Sequence, residues 1–107
     1  MEIRTTEYGS YEAVSYFEID LNELNADIDN TFRNENVRSI EEKDIEDVIN
    51  YKDNALLATE LKFRDNENDG MLLYDYISNY IYDVQAYSSY GYDLTNQYVS
   101  EREYEIV

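Results

Sequence analysis

The chain has 107 residues, of which 43% are hydrophobic and 15% aromatic, a composition that predicts one folded domain over residues 1–107 with a modest core. Its 25 acidic and 8 basic residues give a formal net charge of −17, which opposes binding to nucleic acid or anionic membranes and favours basic partners. Since there is no cysteine and no histidine, disulfides, thiolate nucleophiles, Ser-His couples and the usual zinc ligands are excluded.

The N-terminal sequence MEIRTTEYGS lacks the basic and apolar runs of a signal peptide. No apolar run approaches the ~20 residues that a membrane-spanning helix needs. We therefore expect a cytoplasmic protein.

Two strands are predicted near the N-terminus, over residues 2–6 and 12–19, joined as a hairpin around Gly9 and Ser10. A helix over residues 21–32 follows, because Asp20 and Glu23 form a D-x-x-E variant of the capping box. The helix is expected to bury Leu21, Leu24, Ile28 and Phe32. Its acidic residues occupy a different face and comprise Asp20, Glu23 and Asp27.

A second helix is predicted from residue 40 to about residue 51, because Ser39 and Glu42 repeat the capping pattern. This segment has the densest negative charge in the chain, with five acids in seven residues. They are Glu41, Glu42, Asp44, Glu46 and Asp47.

The segment ALLATELKF, at residues 55–63, has a periodicity that fits either a short helix or a strand. We favour a strand, because the following DNENDG, at residues 65–70, has the composition of a loop. DNENDG also imitates the start of an EF-hand calcium loop, but the twelfth position is Tyr76 instead of the bidentate Glu. An acidic turn is therefore favoured over a calcium site.

The segment MLLYDYISNYIYDVQAYSSYGYDL, at residues 71–94, contains seven tyrosines and no basic residue. A helix over residues 71–88 would place Leu73, Ile77, Tyr80, Ile81 and Val84 on one apolar stripe. The polar residues Asp75, Asn79 and Asp83 would lie on another face. The tyrosines that are candidates for dimer or partner contacts are Tyr76, Tyr80, Tyr87, Tyr90 and Tyr92.

Short strands are predicted near residues 97–99 and 103–107. The sequence thus predicts an α+β fold, in which a small antiparallel sheet of the N-terminal hairpin and C-terminal strands packs with about three acidic amphipathic helices.

Helices with acids three or four residues apart repeat negative charge every ~4.5 to 6 Å, so several side by side approach the field of a DNA backbone. Arginine and lysine of a DNA-binding groove would accept this imitation, and tyrosine rings would stack on guanidinium groups. The predicted contact residues are Asp20, Glu23, Asp27, Glu41, Glu42, Asp44, Glu46, Asp47, Asp75, Asp83 and Asp93. No pair of carboxylates is singled out for catalysis, so we expect no enzyme, metal or cofactor.

Both ends of the chain resemble the ArdA family of antirestriction proteins, which phages and conjugative elements carry. IRTTEYGSYEAVSYFEIDLNEL, at residues 3–24, is similar to that family's opening strand, glycine-containing turn, aromatic second strand and acidic helix. NYIYDVQAYSSYGYDL, at residues 79–94, is similar to its N-Y-I-D-Y-x-A-Y-G-R-D-L segment, and the final EYEIV to its closing strand. The chain departs from the family in having Tyr92 where arginine is usual, three additional residues at 88–90 and a shorter middle.

The resemblance implies a dimeric DNA mimic that occupies the DNA-binding groove of type I restriction-modification enzymes in a bacterial host cell. Because a shortened mimic covers less DNA, a CRISPR effector is an alternative target. The residues alone predict a basic DNA-binding protein as partner, with no direct binding to nucleic acid or membrane. Two alternatives are an acidic interaction or regulatory module whose charge serves solubility, and a calcium-binding module.

Overall fold

The structure is a computed structural model, and it describes residues 1–9, 12–32, 37–88 and 99–107. Within these ranges the chain forms three helices, a three-stranded sheet and a two-stranded sheet, both antiparallel. In chain order the elements are β1 (Glu2–Gly9), β2 (Ala13–Glu18), α1 (Leu21–Thr31), α2 (Glu42–Ile49), β3 (Glu60–Phe63), β4 (Asn66–Leu72), α3 (Leu73–Ser88) and β5 (Val99–Ile106). The predicted α+β class is confirmed.

The residues group into two compact units. The first unit comprises Met1–Ile19 and Ile81–Val107, and the second comprises Asp20–Tyr80. The expectation of a single domain over residues 1–107 stays a prediction.

The first unit contains the three-stranded sheet, with strand order β2-β1-β5. The predicted hairpin is confirmed, with Ile3 opposite Phe17, although β1 extends three residues further than expected. The C-terminal candidates form one strand, β5, whose Tyr104 ring meets Phe17 edge to face at 6.5 Å. Residues 97 and 98 of the first candidate lie outside the described residues.

The second unit begins with α1, where Asp20 is the N-cap residue as predicted, but the return bond from the Glu23 side chain that would complete the predicted capping box is not found among the described residues. The Asp20 carboxylate accepts hydrogen bonds from the backbone N–H groups of Asn22 at 3.0 Å and Glu23 at 3.1 Å. This capping satisfies two N–H groups that have no partner within the helix. Of the residues expected in the core, Leu24, Ile28 and Phe32 are buried and Leu21 is half-buried.

The second helix is shorter than predicted, and its cap is different. Glu41 is the N-cap residue of α2 and forms a capping box with Asp44, where the sequence suggested Ser39 and Glu42. The chain stays non-helical at Ile40 because the Asn25 side chain binds its backbone, accepting from Ile40 N at 2.7 Å and donating to Ile40 O at 3.1 Å. Ile40 is itself buried.

The end of α2 is a Schellman motif. The backbone N–H of Lys52 donates to the carbonyl of Asp47 at 2.9 Å, and that of Tyr51 donates to Val48 at 3.3 Å. The motif requires a left-handed residue after the helix, which is usually glycine. Here Tyr51 takes that position, with φ of 54°.

The segment after α2 differs from the prediction at residues 55–58 and at residues 66–70. Residues 55–58 form turns and β3 follows, so the expectation of a strand is confirmed for residues 60–63 only. The expected acidic loop at residues 65–70 is wrong, because β4 occupies Asn66–Leu72 and pairs with β3. Extended backbone is unlike the looped backbone of an EF-hand site.

Because β4 continues through Leu72, α3 begins at Leu73, two residues later than predicted. Its apolar stripe is confirmed for Leu73, Ile77 and Ile81, which are buried, while Tyr80 and Val84 are half-buried. Phe32 anchors the core of the second unit. Its ring lies 5.3 Å from that of Phe63 and 5.2 Å from that of Tyr76.

Candidate acidic interaction surface

Helix α1 presents three of the predicted contact residues to solvent. Asp20, Glu23 and Asp27 are all exposed, and Leu21–Thr31 contains no basic residue. Glu23 and Asp27 lie one turn apart, about 6 Å along the helix axis. Asp29 is also exposed, but two residues' distance from Asp27 places it on another side of the helix.

Tyr80 of α3 lies beside these carboxylates. Burial raises the pKa of Tyr80 above its ordinary value, and the charges of Glu23, Asp20 and Asp27 raise it further. The phenol is half-buried, and three exposed carboxylates lie within electrostatic range of it. We call Asp20, Glu23, Asp27 and Tyr80 the α1 acidic surface, since the fold brings these four predicted residues together.

Helix α2 presents only part of the predicted charge. Glu41, Glu42 and Glu46 are exposed, but Asp44 and Asp47 are 1% and 7% exposed. The prediction that these two aspartates face a partner is therefore corrected. Asp44 lies one turn before the buried Val48, and Asp47 lies three residues after Asp44. Both therefore belong to the buried side of the helix.

Asp44 is held in a network of hydrogen bonds. Its carboxylate accepts from both terminal nitrogens of Arg38, at 2.9 and 3.0 Å, from the Glu41 N–H at 2.9 Å and from the Asn54 amide at 3.0 Å. The same Asn54 amide donates to Asp47 at 2.7 Å. Burial acts to raise the pKa of Asp44, but the bonds from Arg38, Glu41 and Asn54 outweigh it and lower the pKa. Both aspartates thus have a structural role.

The remaining predicted residues lie on or after α3. Asp75 and Asp83 are exposed, as is Asn79 between them. Tyr76 packs against Phe32, so its ring belongs at least partly to the core. The side chain of Tyr87 and all of Tyr90, Tyr92 and Asp93 lie outside the described residues.

The first unit contains an acid that faces inward. Glu7 is 4% exposed and accepts from Arg102 Nε at 3.1 Å and from Gln85 Nε2 at 3.5 Å. The Tyr104 hydroxyl donates to Gln85 Oε1 at 2.9 Å. This carboxylate is paired within the fold and adds nothing to the acidic exterior.

An open groove in the second unit is a feature that sequence reasoning missed. Its volume is about 240 Å³, and its lining includes Tyr51, Lys52, Asp53, Leu57, Leu72 and Tyr74. The Tyr51 side chain is 82% exposed and Leu72 is 43% exposed. Nothing in the sequence marks it, because it depends on the left-handed backbone at Tyr51 and on the unpredicted strand β4.

Neither a metal centre nor a membrane helix is found in the part of the chain that the structure describes. No group of three or more Asp, Glu, His or Cys residues there could hold a metal ion. No helix there is long and apolar enough to cross a bilayer.

Comparisons with protein families, curated proteins and solved structures find no match to this chain. The resemblance to the ArdA family accordingly rests on the three segments quoted above, at residues 3–24, 79–94 and 103–107.

Proposed function

We propose that the protein is a DNA mimic that inhibits a bacterial defence enzyme by occupying its basic DNA-binding groove. The observation that carries the proposal is the α1 acidic surface. Three exposed carboxylates lie there within electrostatic range of the Tyr80 phenol, on a helix that has no basic residue.

The arrangement suits recognition by arginine. A guanidinium can bind a carboxylate through two parallel hydrogen bonds and can stack on an aromatic ring. The α1 acidic surface offers both partners within one patch, whereas a merely soluble surface needs carboxylates alone. The exposed Glu41, Glu42 and Glu46 of α2 add further negative charge.

Long-range charge supports the same proposal. A net charge of −17 attracts a basic groove before contact and speeds the encounter, much as the DNA itself would. Binding should weaken as salt is added, because screening shortens the reach of these charges to about 8 Å at physiological ionic strength.

The resemblance to the ArdA family supports a type I restriction-modification enzyme as the target, with action in the bacterial cytoplasm and a possible homodimer as the active form. A CRISPR effector is the second target that a short mimic would suit.

The test is a competition experiment. A fluorescent DNA duplex is bound to a purified type I restriction-modification enzyme, or to a CRISPR effector, and the protein is added as competitor. We expect displacement of the duplex from one of them, with an inhibition constant that rises steeply between 50 and 300 mM salt, a range chosen around physiological ionic strength.

The decisive variant reverses charge on α1 by Glu23→Lys and Asp27→Lys, leaving Asp20 to cap the helix. Its matched control is Glu2→Lys with Glu12→Lys, which makes the same change in net charge at exposed residues of the first unit. The α1 variant should lose inhibition at least tenfold more than the control. Equal loss of inhibition in the two variants would show that the α1 acidic surface acts only through net charge, and would contradict a specific contact there.

The alternative function, an interaction module whose charge serves solubility, is favoured by the open groove beside Tyr51. Such a module would not displace the duplex from a DNA-binding enzyme, so the competition experiment above separates the two functions.

A further inference from the structure

Tyr51, at the edge of the groove, has an unusual backbone conformation. Tyr51 adopts the left-handed backbone conformation that is unfavourable for any residue with a Cβ atom and that glycine adopts freely. The Schellman motif at the end of α2 would form equally well with glycine here. Since the tyrosine side chain is 82% exposed, packing within the chain compensates little for this conformation. Backbone outliers of this kind point to a function for the side chain.

The floor of the groove is apolar and fixed. Leu57 is 2% exposed, and Leu72 projects from β4 with 43% of its surface exposed. The Tyr74 ring is held in place because its hydroxyl donates to the Val48 carbonyl at 3.2 Å. The groove thus combines a rigid apolar floor with an exposed aromatic edge.

The size of the groove limits what it can hold. Sites for drug-sized molecules enclose roughly 300–1,000 Å³. A volume of about 240 Å³ that is open on one side is suited to one inserted side chain.

The net charge of −17 and the nearby Asp53 and Asp75 favour a basic partner at the groove, although Lys52 offsets one of these charges. Asp53 lines the groove. Asp75 is exposed, and its negative charge contributes to raising the pKa of the neighbouring Tyr74, after burial. Lys52 is the only base among the lining residues. A second copy of this chain would bring a further net charge of −17 toward a protein of the same charge, so self-association at the groove is opposed.

We propose that the groove between Tyr51 and Tyr74 binds a leucine-like aliphatic side chain that is flanked by arginine in a partner polypeptide. The aliphatic side chain covers Leu57 and Leu72. One flanking guanidinium stacks on the exposed Tyr51 ring, and another pairs with Asp53 or Asp75. The proposal does not depend on DNA mimicry, because none of these residues belongs to the α1 acidic surface.

The experiment uses the full chain and two synthetic peptides of equal charge. One peptide has two arginines on each side of a central leucine, and the other has serine in place of that leucine. Affinity is measured by fluorescence polarisation, and the contact site by amide NMR shifts. We expect the leucine peptide to bind about tenfold tighter, since the leucine is largely removed from water. The shifts that differ between peptides should lie at Leu57, Leu72 and Tyr74.

Two variants test the assignment independently. Tyr51→Gly removes the ring while keeping the left-handed turn, and Leu72→Thr removes apolar surface while keeping strand propensity. Leu72→Thr should reduce the preference for leucine to about twofold or less, whereas Tyr51→Gly should weaken binding of both peptides alike, because the Tyr51 ring stacks on an arginine that both contain. The control Tyr16→Ser removes an exposed tyrosine of the first unit and should leave the preference unchanged.

Equal binding of the two peptides would overturn the proposal, as would a preference for leucine that survives Leu72→Thr or binding that Tyr51→Gly leaves unchanged. A concentration-dependent dimer that shifts the groove signals would assign the groove to a second copy instead. None of these outcomes bears on the competition by α1, so the two proposals fail separately.

Discussion

Substitution of Asp44 by alanine should destabilise the fold far more than loss of any exposed acid on the same helix. The wild-type carboxylate accepts four hydrogen bonds of 2.9–3.0 Å. The Arg38 side chain is 51% exposed, so its guanidinium regains water when Asp44 is removed. The loss therefore comes chiefly from the Glu41 N–H that caps α2, from one bond of Asn54 and from the space left by a side chain that is 2% exposed.

Loss of hydrogen bonds to a buried charged group, together with a helix cap, amounts to about 2–4 kcal/mol. For a chain of this size that lowers the melting temperature by on the order of 10 °C. The assay is urea unfolding followed by circular dichroism, with thermal unfolding as a second measure. The matched control is Glu46→Ala, which makes the same change in charge at an exposed position of α2 and should stay within about 0.5 kcal/mol of wild type. A loss for Asp44→Ala no larger than that of the control would refute the structural role of this carboxylate.

Two further predictions concern ionisation. Because hydrogen bonds lower the pKa of Asp44 in the folded state, its contribution to stability is full above the unfolded value of about 3.9 and is lost as pH falls through the folded value. The free energy of unfolding of Asp44→Asn should therefore fall less than that of wild type between about pH 5 and pH 2. Urea unfolding at each pH measures this fall, and an equal fall in both proteins would contradict the lowered pKa. The double substitution Glu23→Gln with Asp27→Asn should lower the pKa of Tyr80, because two of the three charges that raise it are removed while its burial is unchanged. Titration followed by NMR of ¹³Cζ-labelled tyrosine measures this shift, with Glu42→Gln on α2 as the control, and an unchanged Tyr80 would separate it from the α1 acids.

The parts of the fold that local chemistry determines were predictable from sequence. Asp20 caps α1 as expected, because its carboxylate binds backbone N–H groups that lie only two and three residues further along the chain. The hairpin of β1 and β2 followed from alternation around a short polar turn. Both depend on neighbours close in sequence.

The misplaced elements depend on partners further away. Composition argued against β4, because asparagine, aspartate and glycine are depleted in strands, yet pairing with β3 outweighs that preference. The start of α2 was misplaced because the Asn25 amide holds Ile40 in a non-helical conformation. Neither partner is identifiable from the segment itself.

The candidate surface was predicted correctly for α1 and only in part for α2. Five acids in seven residues suggested a uniformly charged helix, but the period of 3.6 residues places Asp44 on the side of Val48. The same period alone indicates that Asp44 is buried. The groove at Tyr51 would still have been missed, because propensity gives no reason to expect tyrosine in a left-handed conformation.

The side chain of Asn25 has a consequence for how the chain could vary. Its amide carries the same donor and acceptor pair as a peptide group, and both atoms bind the backbone of Ile40. The Asn25 side chain on α1 therefore pairs with Ile40 as a backbone peptide group would, and it fixes the position of Ile40 beside α1. Extra residues between α1 and Ile40 would raise the free-energy cost of closing the connection only with the logarithm of its length. The two hydrogen bonds would therefore keep Ile40 at the same place beside α1 when that connection is longer.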